Sequence, residues 1–121
     1  KFQIKKGIGG TKELVKLIKN GFSTALMIDQ RVSEGIHSNF FNEKASTTTI
    51  PAQLVKKYRI PVVPIFIERF DDIKFKMTVN KPINFEENKS VEDITNELNK
   101  LLENMILKKP NYWIWSHNRW K

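Results

Sequence analysis

The sequence predicts an α/β domain with a mixed β-sheet flanked by helices, and three patterns carry that prediction. Helical apolar stripes with capping residues recur along the chain, one short apolar run stops at an acid and an amide, and one segment alternates strictly between apolar and polar residues. The predicted order of elements is α-β-α-β-β-α, which is typical of the α/β class. At 121 residues the chain is long enough for a modest core.

The first helix is predicted to begin with Thr11 as its cap and to end at Asn20-Gly21. Apolar residues between these bounds recur at helical spacing, and Gly21 can take the left-handed conformation that closes a helix. A turn rich in glycine precedes this helix, but the spacing matches neither the dinucleotide fingerprint nor the P-loop. The pattern therefore indicates a helix with ordinary ends.

Residues 23–30, with the sequence STALMIDQ, are predicted to form a buried strand that brings Asp29 and Gln30 to the end of a sheet. Ligand sites of open α/β sheets form at the carboxyl ends of strands, so these two side chains are candidate binding residues. A buried carboxylate must also be paired or hydrogen-bonded, which leaves a structural role for Asp29 as the alternative.

The middle of the chain is predicted as a loop, a helix and two strands. Residues 31–39 are polar and predict a loop, and one of the threonines in residues 47–49 is expected to cap a helix that carries Pro51 in its first turn. Residues 60–67 predict a second buried strand. Residues 73–79 alternate between apolar and polar and are expected to pair antiparallel with it.

A long third helix is predicted from the capping residue Ser90, with Asp93 placed for a capping box, to Pro110. Residues 111–121 then mix aromatic and cationic side chains, in the sequence NYWIWSHNRWK. Such a tail suits nucleic-acid stacking, a membrane interface or ligand contact. The structural alternative is that its tryptophans cover the edge of a sheet.

Composition limits the classes of function. The chain has 21 Lys and Arg against 13 Asp and Glu, a net charge of +8, which favours polyanionic partners. It has no cysteine, which excludes disulfides and thiol catalysis. His37 and His117 are isolated, and neither has the acid partner of a catalytic pair. We therefore expect no catalytic pair, metal or cofactor within these residues.

Several motifs in their order along the chain resemble the C-terminal part of the lipid A biosynthesis acyltransferases. The resemblance covers about residues 9–121 and rests on the ordered pieces GG, LIKNG, MIDQ, FF, AST, PVVPIF and YWIWSHNRWK. It implies that residues 1–121 are the C-terminal portion of one acyltransferase domain. The implied fold is part of the glycerolipid acyltransferase fold.

The resemblance also implies an activity, a location and partners. Members of this family pass a fatty acyl chain from acyl carrier protein to a hydroxyl of the lipid A precursor, at the cytoplasmic face of the bacterial inner membrane. Their catalytic His–acid pair and hydrophobic anchor precede the motifs found here, so both are expected upstream of this chain. Acyl carrier protein, the lipid A precursor and an anionic membrane surface are the expected partners, and nucleic acid is not. The alternative function is a basic module that binds nucleic acid or a membrane surface without catalysis.

The resemblance assigns substrate-binding roles to six residues. By position, the strand-end pair matches the block that binds the acceptor, the two phenylalanines match an FFG motif that shapes the acyl groove, and Asn42 stands where glycine is usual. The six residues are Asp29, Gln30, Phe40, Phe41, Thr47 and Arg69.

Overall fold

The computed structural model describes residues 3–4, 8–71 and 73–120, in which helices and β-hairpins alternate along the chain. This confirms the α/β class. The elements are α1 (Ile8–Lys19), β1 (Ile36–Phe40), β2 (Glu43–Thr47), α2 (Ile50–Tyr58), β3 (Ile65–Phe70), β4 (Lys74–Val79), α3 (Val91–Lys108) and a short 3-10 turn (Pro110–Tyr112).

Within the described ranges, the strands form two separate antiparallel hairpins and do not join in one mixed sheet. In the first hairpin β1 pairs with β2, and Phe40 lies opposite Glu43 beside the turn. In the second, β3 pairs with β4, which confirms the predicted antiparallel pair. Both hairpins are local pairings that a short turn can close.

The prediction of a buried strand at residues 23–30 is wrong. Residues 22–28 are assigned no regular structure, and no strand of the described chain pairs with them. Leu26 and Met27 are 41% and 75% exposed, whereas Ile28 packs against the core. An apolar run becomes a buried strand only where neighbouring strands satisfy its backbone groups, and the run itself cannot supply them.

The loop predicted for residues 31–39 is partly wrong, because β1 occupies its second half. The turn to β2 is formed by Phe41 and Asn42, whose φ angles of 52° and 65° are both positive, as a type I′ turn requires. Asparagine tolerates this conformation, but phenylalanine rarely adopts it. The pair Phe-Asn therefore does not predict a tight turn, whereas Asn-Gly at the same place would have predicted one.

Thr47 belongs to β2, and Thr49 takes the N-cap position of α2. The predicted placement of Pro51 in the first turn of that helix is confirmed. The cap is made without a hydrogen bond from the Thr49 side chain.

The second predicted strand, residues 60–67, is displaced and is not buried. Pro64 has no N–H to give to a ladder, and regular pairing begins only at Ile65. Before it, Val62 makes an isolated bridge to Ile83. One face of the β3–β4 hairpin is apolar and exposed, and its members are Ile65, Ile67, Phe75, Met77 and Val79.

Helix α1 begins at Ile8, so Thr11 lies inside it and is not its cap. The predicted end at Gly21 is confirmed, with a φ of 81°. The N–H of Gly21 donates to the carbonyl of Ile18, and that of Phe22 donates to the carbonyl of Leu17, each over 3.0 Å. This pair of bonds is a Schellman motif, which satisfies the last carbonyls of the helix.

Helix α3 contributes apolar side chains to the core along its whole length. Its predicted capping box is confirmed, because Ser90 and Asp93 bond each other reciprocally. In its first half, Ile94 and Leu98 pack against α2, and near its end Ile106 packs under Phe40. No helix in the part of the chain that the structure describes has the length and apolar character to cross a bilayer.

Candidate functional site

The β1–β2 hairpin is fixed to α3 by buried polar side chains. Asn99 is 1% exposed, and its amide nitrogen lies 2.9 Å from the Ser38 hydroxyl, 3.1 Å from the carbonyl of Asn39 and 3.2 Å from the Thr47 hydroxyl, so its two hydrogens are shared among three acceptors. Ser38 in turn donates to the Asn96 side chain over 2.6 Å. Buried polar groups of this kind fix one arrangement of the elements that they join.

Glu103 holds the turn of the same hairpin. One carboxylate oxygen accepts from the backbone N–H of Phe41 over 2.8 Å, and the other lies 2.8 Å from the Lys100 ammonium group. The Glu103 side chain is 8% exposed and that of Lys100 is 69% exposed. The carboxylate therefore meets a backbone donor on its buried side and a cation on its solvent side.

Arg119 lies beneath the hairpin and is completely buried. Its guanidinium donates from Nη1 to the carbonyl of Ser46 over 2.5 Å and from Nη2 to the Thr47 hydroxyl over 3.0 Å. The guanidinium carbon lies 5.3 Å from the centre of the Phe40 ring, within range of a cation–π contact. Its Nε atom is buried and has no hydrogen-bond partner among the residues that the structure describes.

The residue that follows the STALMIDQ segment is hydrogen-bonded to the aromatic tail. The backbone N–H of Arg31 donates to Nε2 of His117 over 3.2 Å, which joins the segment to the tail. Burial lowers the pKa of the Arg119 guanidinium, and the negative charge of Asp29 opposes that shift. Asp29 is half-buried and Gln30 is exposed, so this end of the segment remains open to solvent.

The aromatic tail covers the hairpin, as the structural alternative proposed. Trp113 and Trp120 lie 5.6 Å and 5.7 Å from the Phe40 ring, measured between ring centres. The indole N–H of Trp120 also donates to the carbonyl of Phe40 over 2.9 Å. Trp115, which is 49% exposed, lies 5.9 Å from the Phe41 ring and forms the outer edge of the cluster.

The structure brings two of the six predicted site residues, Phe40 and Thr47, into contact with the Arg119 guanidinium. The charge of Asp29 raises the pKa of that guanidinium, but the ion pairs among the described residues do not join Asp29 to Arg119. Gln30 adjoins Asp29 on the exposed side, and Phe41 adjoins Phe40 in the turn. The substrate-binding roles of all six residues stay predictions.

Arg69 lies apart from this group, on the β3–β4 hairpin. Its guanidinium carbon is 5.4 Å from the centre of the Phe75 ring, across the two strands. None of the contacts described for Asp29, Phe40 or Thr47 involves Arg69. Arg69 therefore lies on a different hairpin from Phe40 and Thr47.

Sequence reasoning missed Ser38, Asn99, Glu103 and Arg119, which together hold the hairpin. One signal was available for two of them, because Asn99 and Glu103 lie four positions apart on α3, in register with Thr95. Residues at that spacing share one face of a helix. No such signal exists for Arg119, because an arginine among tryptophans in a tail is as compatible with an exposed position as with a buried one.

The described residues form no group of His, Cys, Asp and Glu side chains that could hold a metal ion. The arrangement instead offers a carboxylate and an amide, Asp29 and Gln30, at the solvent-accessible end of one segment. Such a pair can hydrogen-bond a ligand that carries hydroxyl groups.

The sequence was also compared with known proteins. A sequence model described as Bacterial lipid A biosynthesis acyltransferase matches residues 1–121. No curated protein matches the sequence at a significant level. The family match includes both the segment that carries Asp29 and the tail that buries Arg119. The chain therefore belongs to the bacterial lipid A biosynthesis acyltransferase family, and its role is that of an acyltransferase domain.

Proposed function

We propose that this chain is the C-terminal portion of a domain that transfers a fatty acyl chain from acyl carrier protein to a hydroxyl of the lipid A precursor. The observation that carries the proposal is the family match over residues 1–121. The net charge of +8 supports it, because acyl carrier protein is acidic and the precursor carries phosphates and carboxylates.

The proposed reaction is attack of the acceptor hydroxyl oxygen on the thioester carbonyl carbon. A new C–O bond forms, the C–S bond breaks, and the thiol of acyl carrier protein leaves. A histidine of the upstream His–acid pair would remove the hydroxyl proton as general base and return it to the departing sulfur. The residues of the present chain would bind and orient the substrates.

Asp29 and Gln30 would contact the acceptor, because both lie at the open end of their segment. The Asp29 carboxylate can accept hydrogen bonds from hydroxyls, and the Gln30 amide can both donate and accept. Phe40 and Thr47 are buried and would support this wall from beneath, while the half-buried Phe41 would shape the acyl groove.

Arg69 would act at a second place. Its guanidinium is exposed on β3 and can bind a phosphate or carboxylate of the precursor through two parallel hydrogen bonds. This role does not require contact with Asp29.

We also propose that the domain works against the anionic cytoplasmic face of the bacterial inner membrane. Basic residues near such a surface contribute about 1 kcal/mol each, so the surplus of cations supports this location. The exposed apolar face of the β3–β4 hairpin supports it too, because soluble monomers rarely expose contiguous apolar surface of this kind.

The test is an acyl-transfer assay on the protein extended upstream to its His–acid pair. Acyl carrier protein loaded with a fatty acid and a lipid A precursor are supplied, and mass spectrometry reports the acylated product. We expect product from this protein and none after replacement of the upstream histidine by alanine. Arg59→Gln is the control for a substitution at the surface and should keep the activity, since the Arg59 side chain is 75% exposed and pairs with Glu87.

The opposite outcome would favour a different function. If the extended protein forms no product but binds oligonucleotides or anionic vesicles tightly, the chain is a basic binding module and the enzymatic proposal fails.

A further inference from the structure

A groove lies between helix α3 and the base of the β3–β4 hairpin, and the residues that line it include none from the β1–β2 hairpin. Its volume is about 340 Å³, which is within the range of small-molecule sites. Its apolar lining includes three half-buried side chains, Ile83, Leu101 and Met105. An apolar wall with a few polar groups is the usual form of a ligand site, so the polar groups of this groove decide what it can bind.

Two amide side chains, Asn80 and Asn104, line the groove. Asn80 follows β4, and its backbone N–H and its side-chain Nδ2 both donate to the carbonyl of Pro64, over 2.9 Å and 3.1 Å. These two bonds fix the Asn80 amide at the base of the hairpin. Asn104 lies on α3 and is exposed. Because an amide both donates and accepts hydrogen bonds, the pair suits a ligand that carries amide groups of its own.

Two lysines, Lys81 and Lys108, also line the groove, and both are exposed. Neither belongs to any of the ion pairs among the described residues. The described lining of the groove contains no acidic side chain. Two cations at one groove repel each other, and an anion bound there relieves the repulsion. The groove is therefore suited to a ligand with a negative charge at one end.

A second groove, between α2 and residues 84–87, differs in this respect. Arg59 of that groove pairs with Glu87 over 3.0 Å, and Lys56 donates to the carbonyl of Lys89 over 2.6 Å. The cations of the second groove thus have partners within the fold. The surplus of positive charge that an anionic ligand could meet lies at the groove beside α3.

We propose that the groove beside α3 binds the prosthetic arm of acyl carrier protein, which is a phosphodiester followed by an apolar chain with two amide groups. The phosphate would lie between Lys81 and Lys108, since lysine is a common phosphate ligand. The amides of the arm would bond to Asn80 and Asn104, and its methyl and methylene groups would lie on the apolar wall. The inference rests on the proposed function, in which acyl carrier protein is the donor, and adds the place where its arm lies.

The groove adjoins the core cluster that also contacts the segment before Asp29. Ile83 and Val62 each donate a backbone N–H to the other's carbonyl, over 2.8 Å and 3.0 Å. Val62 packs against the cluster, and so does Ile28, the neighbour of Asp29. The members of the cluster are Ala52, Val55, Ile94 and Leu98. The donor groove and the proposed acceptor residues therefore border one cluster, which is compatible with transfer of an acyl chain between them.

The direct test is an NMR titration of the extended protein with pantetheine 4′-phosphate, which stands in for the arm, and with pantetheine, which lacks the phosphate. We expect pantetheine 4′-phosphate to shift the amide resonances of residues 80–83 and 101–108. The double variant Lys81→Gln, Lys108→Gln should bind it about 10-fold more weakly, because two charge contacts with the phosphate are lost. Pantetheine should bind the wild type and the double variant alike. Lys57→Gln is the control, since Lys57 is exposed on α2 and does not line the groove.

The acyl-transfer assay gives the second readout. The double variant should raise the KM for acyl carrier protein by about 10-fold and leave the KM for the lipid A precursor unchanged, and Lys57→Gln should change neither. A rise in the KM for the precursor instead would assign the groove to a phosphate of the acceptor and overturn the proposal. Circular dichroism checks the fold, and Lys81→Gln alone takes the place of a double variant that does not fold.

The two readouts distinguish failure of this inference from failure of the proposed function. If the wild type forms no acylated product but binds pantetheine 4′-phosphate through the two lysines, the proposed function fails and the groove remains a site for a phosphate-bearing arm. If product forms, but pantetheine 4′-phosphate shifts none of these resonances or binds the double variant equally well, the groove assignment fails and the function stands.

Discussion

The carboxylate of Glu103 accepts a hydrogen bond of 2.8 Å from the backbone N–H of Phe41, across 62 positions of sequence. Phe41 has a φ of 52°, which is unfavourable for a large side chain. The helix therefore stabilises a turn that the local sequence does not favour. The turn also sets the pairing register of β1 and β2, and this register places Thr47 next to Arg119.

Replacing Glu103 by alanine should lower the free energy of unfolding by about 1.5–3 kcal/mol, the value of a hydrogen bond to a charged group. Urea denaturation followed by circular dichroism measures it. Glu97→Ala is the control, because Glu97 is 47% exposed and a surface ion pair such as the one with Lys89 contributes little to stability. If the two variants lose the same free energy of unfolding, the bond between Glu103 and Phe41 contributes no more than a surface ion pair.

Gly35 and Gly9 should respond to alanine in opposite directions. A Cβ at Gly35 would collide with the backbone carbonyl of Thr47 and come within 2.9 Å of a Val32 methyl group, so Gly35→Ala should cost about 1–3 kcal/mol. A Cβ at Gly9, inside α1, would meet nothing within 4 Å, so Gly9→Ala should stabilise by about 0.5–1 kcal/mol. Melting temperatures of the two variants test this expectation. A Gly35→Ala variant with a raised melting temperature would contradict the close approach of Gly35 to the Thr47 carbonyl.

The capping box of α3 should make stability depend on acid pH. The Ser90 hydroxyl and then the Ser90 backbone N–H donate to the Asp93 carboxylate and lower its pKa below the ordinary value of 3.8. The contribution is complete above that value and is lost as the pH falls through the lower pKa of the folded state. The difference in melting temperature between the wild type and Asp93→Asn should therefore narrow as the pH falls below 3.8.

Ser90→Ala is the companion variant for that measurement. It removes the donor that lowers the pKa most, so the pH dependence due to Asp93 should weaken. A difference between wild type and Asp93→Asn that stays constant across the acidic range would rule out this account.

The exposed face of the β3–β4 hairpin should govern binding to membranes. Phe75 and Met77 are each 63% exposed on it, and replacing both with serine should weaken binding to anionic phospholipid vesicles by about 10-fold through lost apolar burial. Vesicle sedimentation measures the change. Leu107→Ser is the control, because Leu107 is 61% exposed on α3 and lies outside the hairpin. Equal binding by all three proteins would exclude this face from the membrane contact.

The elements whose signals are local can be predicted from the sequence alone. The capping box at Ser90, the proline in the first turn of α2, the glycine that ends α1 and the alternating strand before α3 each depend on neighbours a few residues away. These features follow from helix capping, backbone conformation and the two-residue period of a strand, which need no distant partner. The ordered motifs also identified the family, and the match over residues 1–121 confirms it.

Which polar groups are buried, and which elements they join, follows from the folded structure and not from local sequence. Asp29 stood out from sequence as the end of an apolar run, but that run proved to be an exposed segment, since no described strand satisfies its backbone. The partners of the candidate site, above all Arg119, come from positions far along the chain and meet only when the tail folds over the β1–β2 hairpin. Burial makes the charge of Arg119 depend on the groups that surround it, and burial is a property of the folded chain.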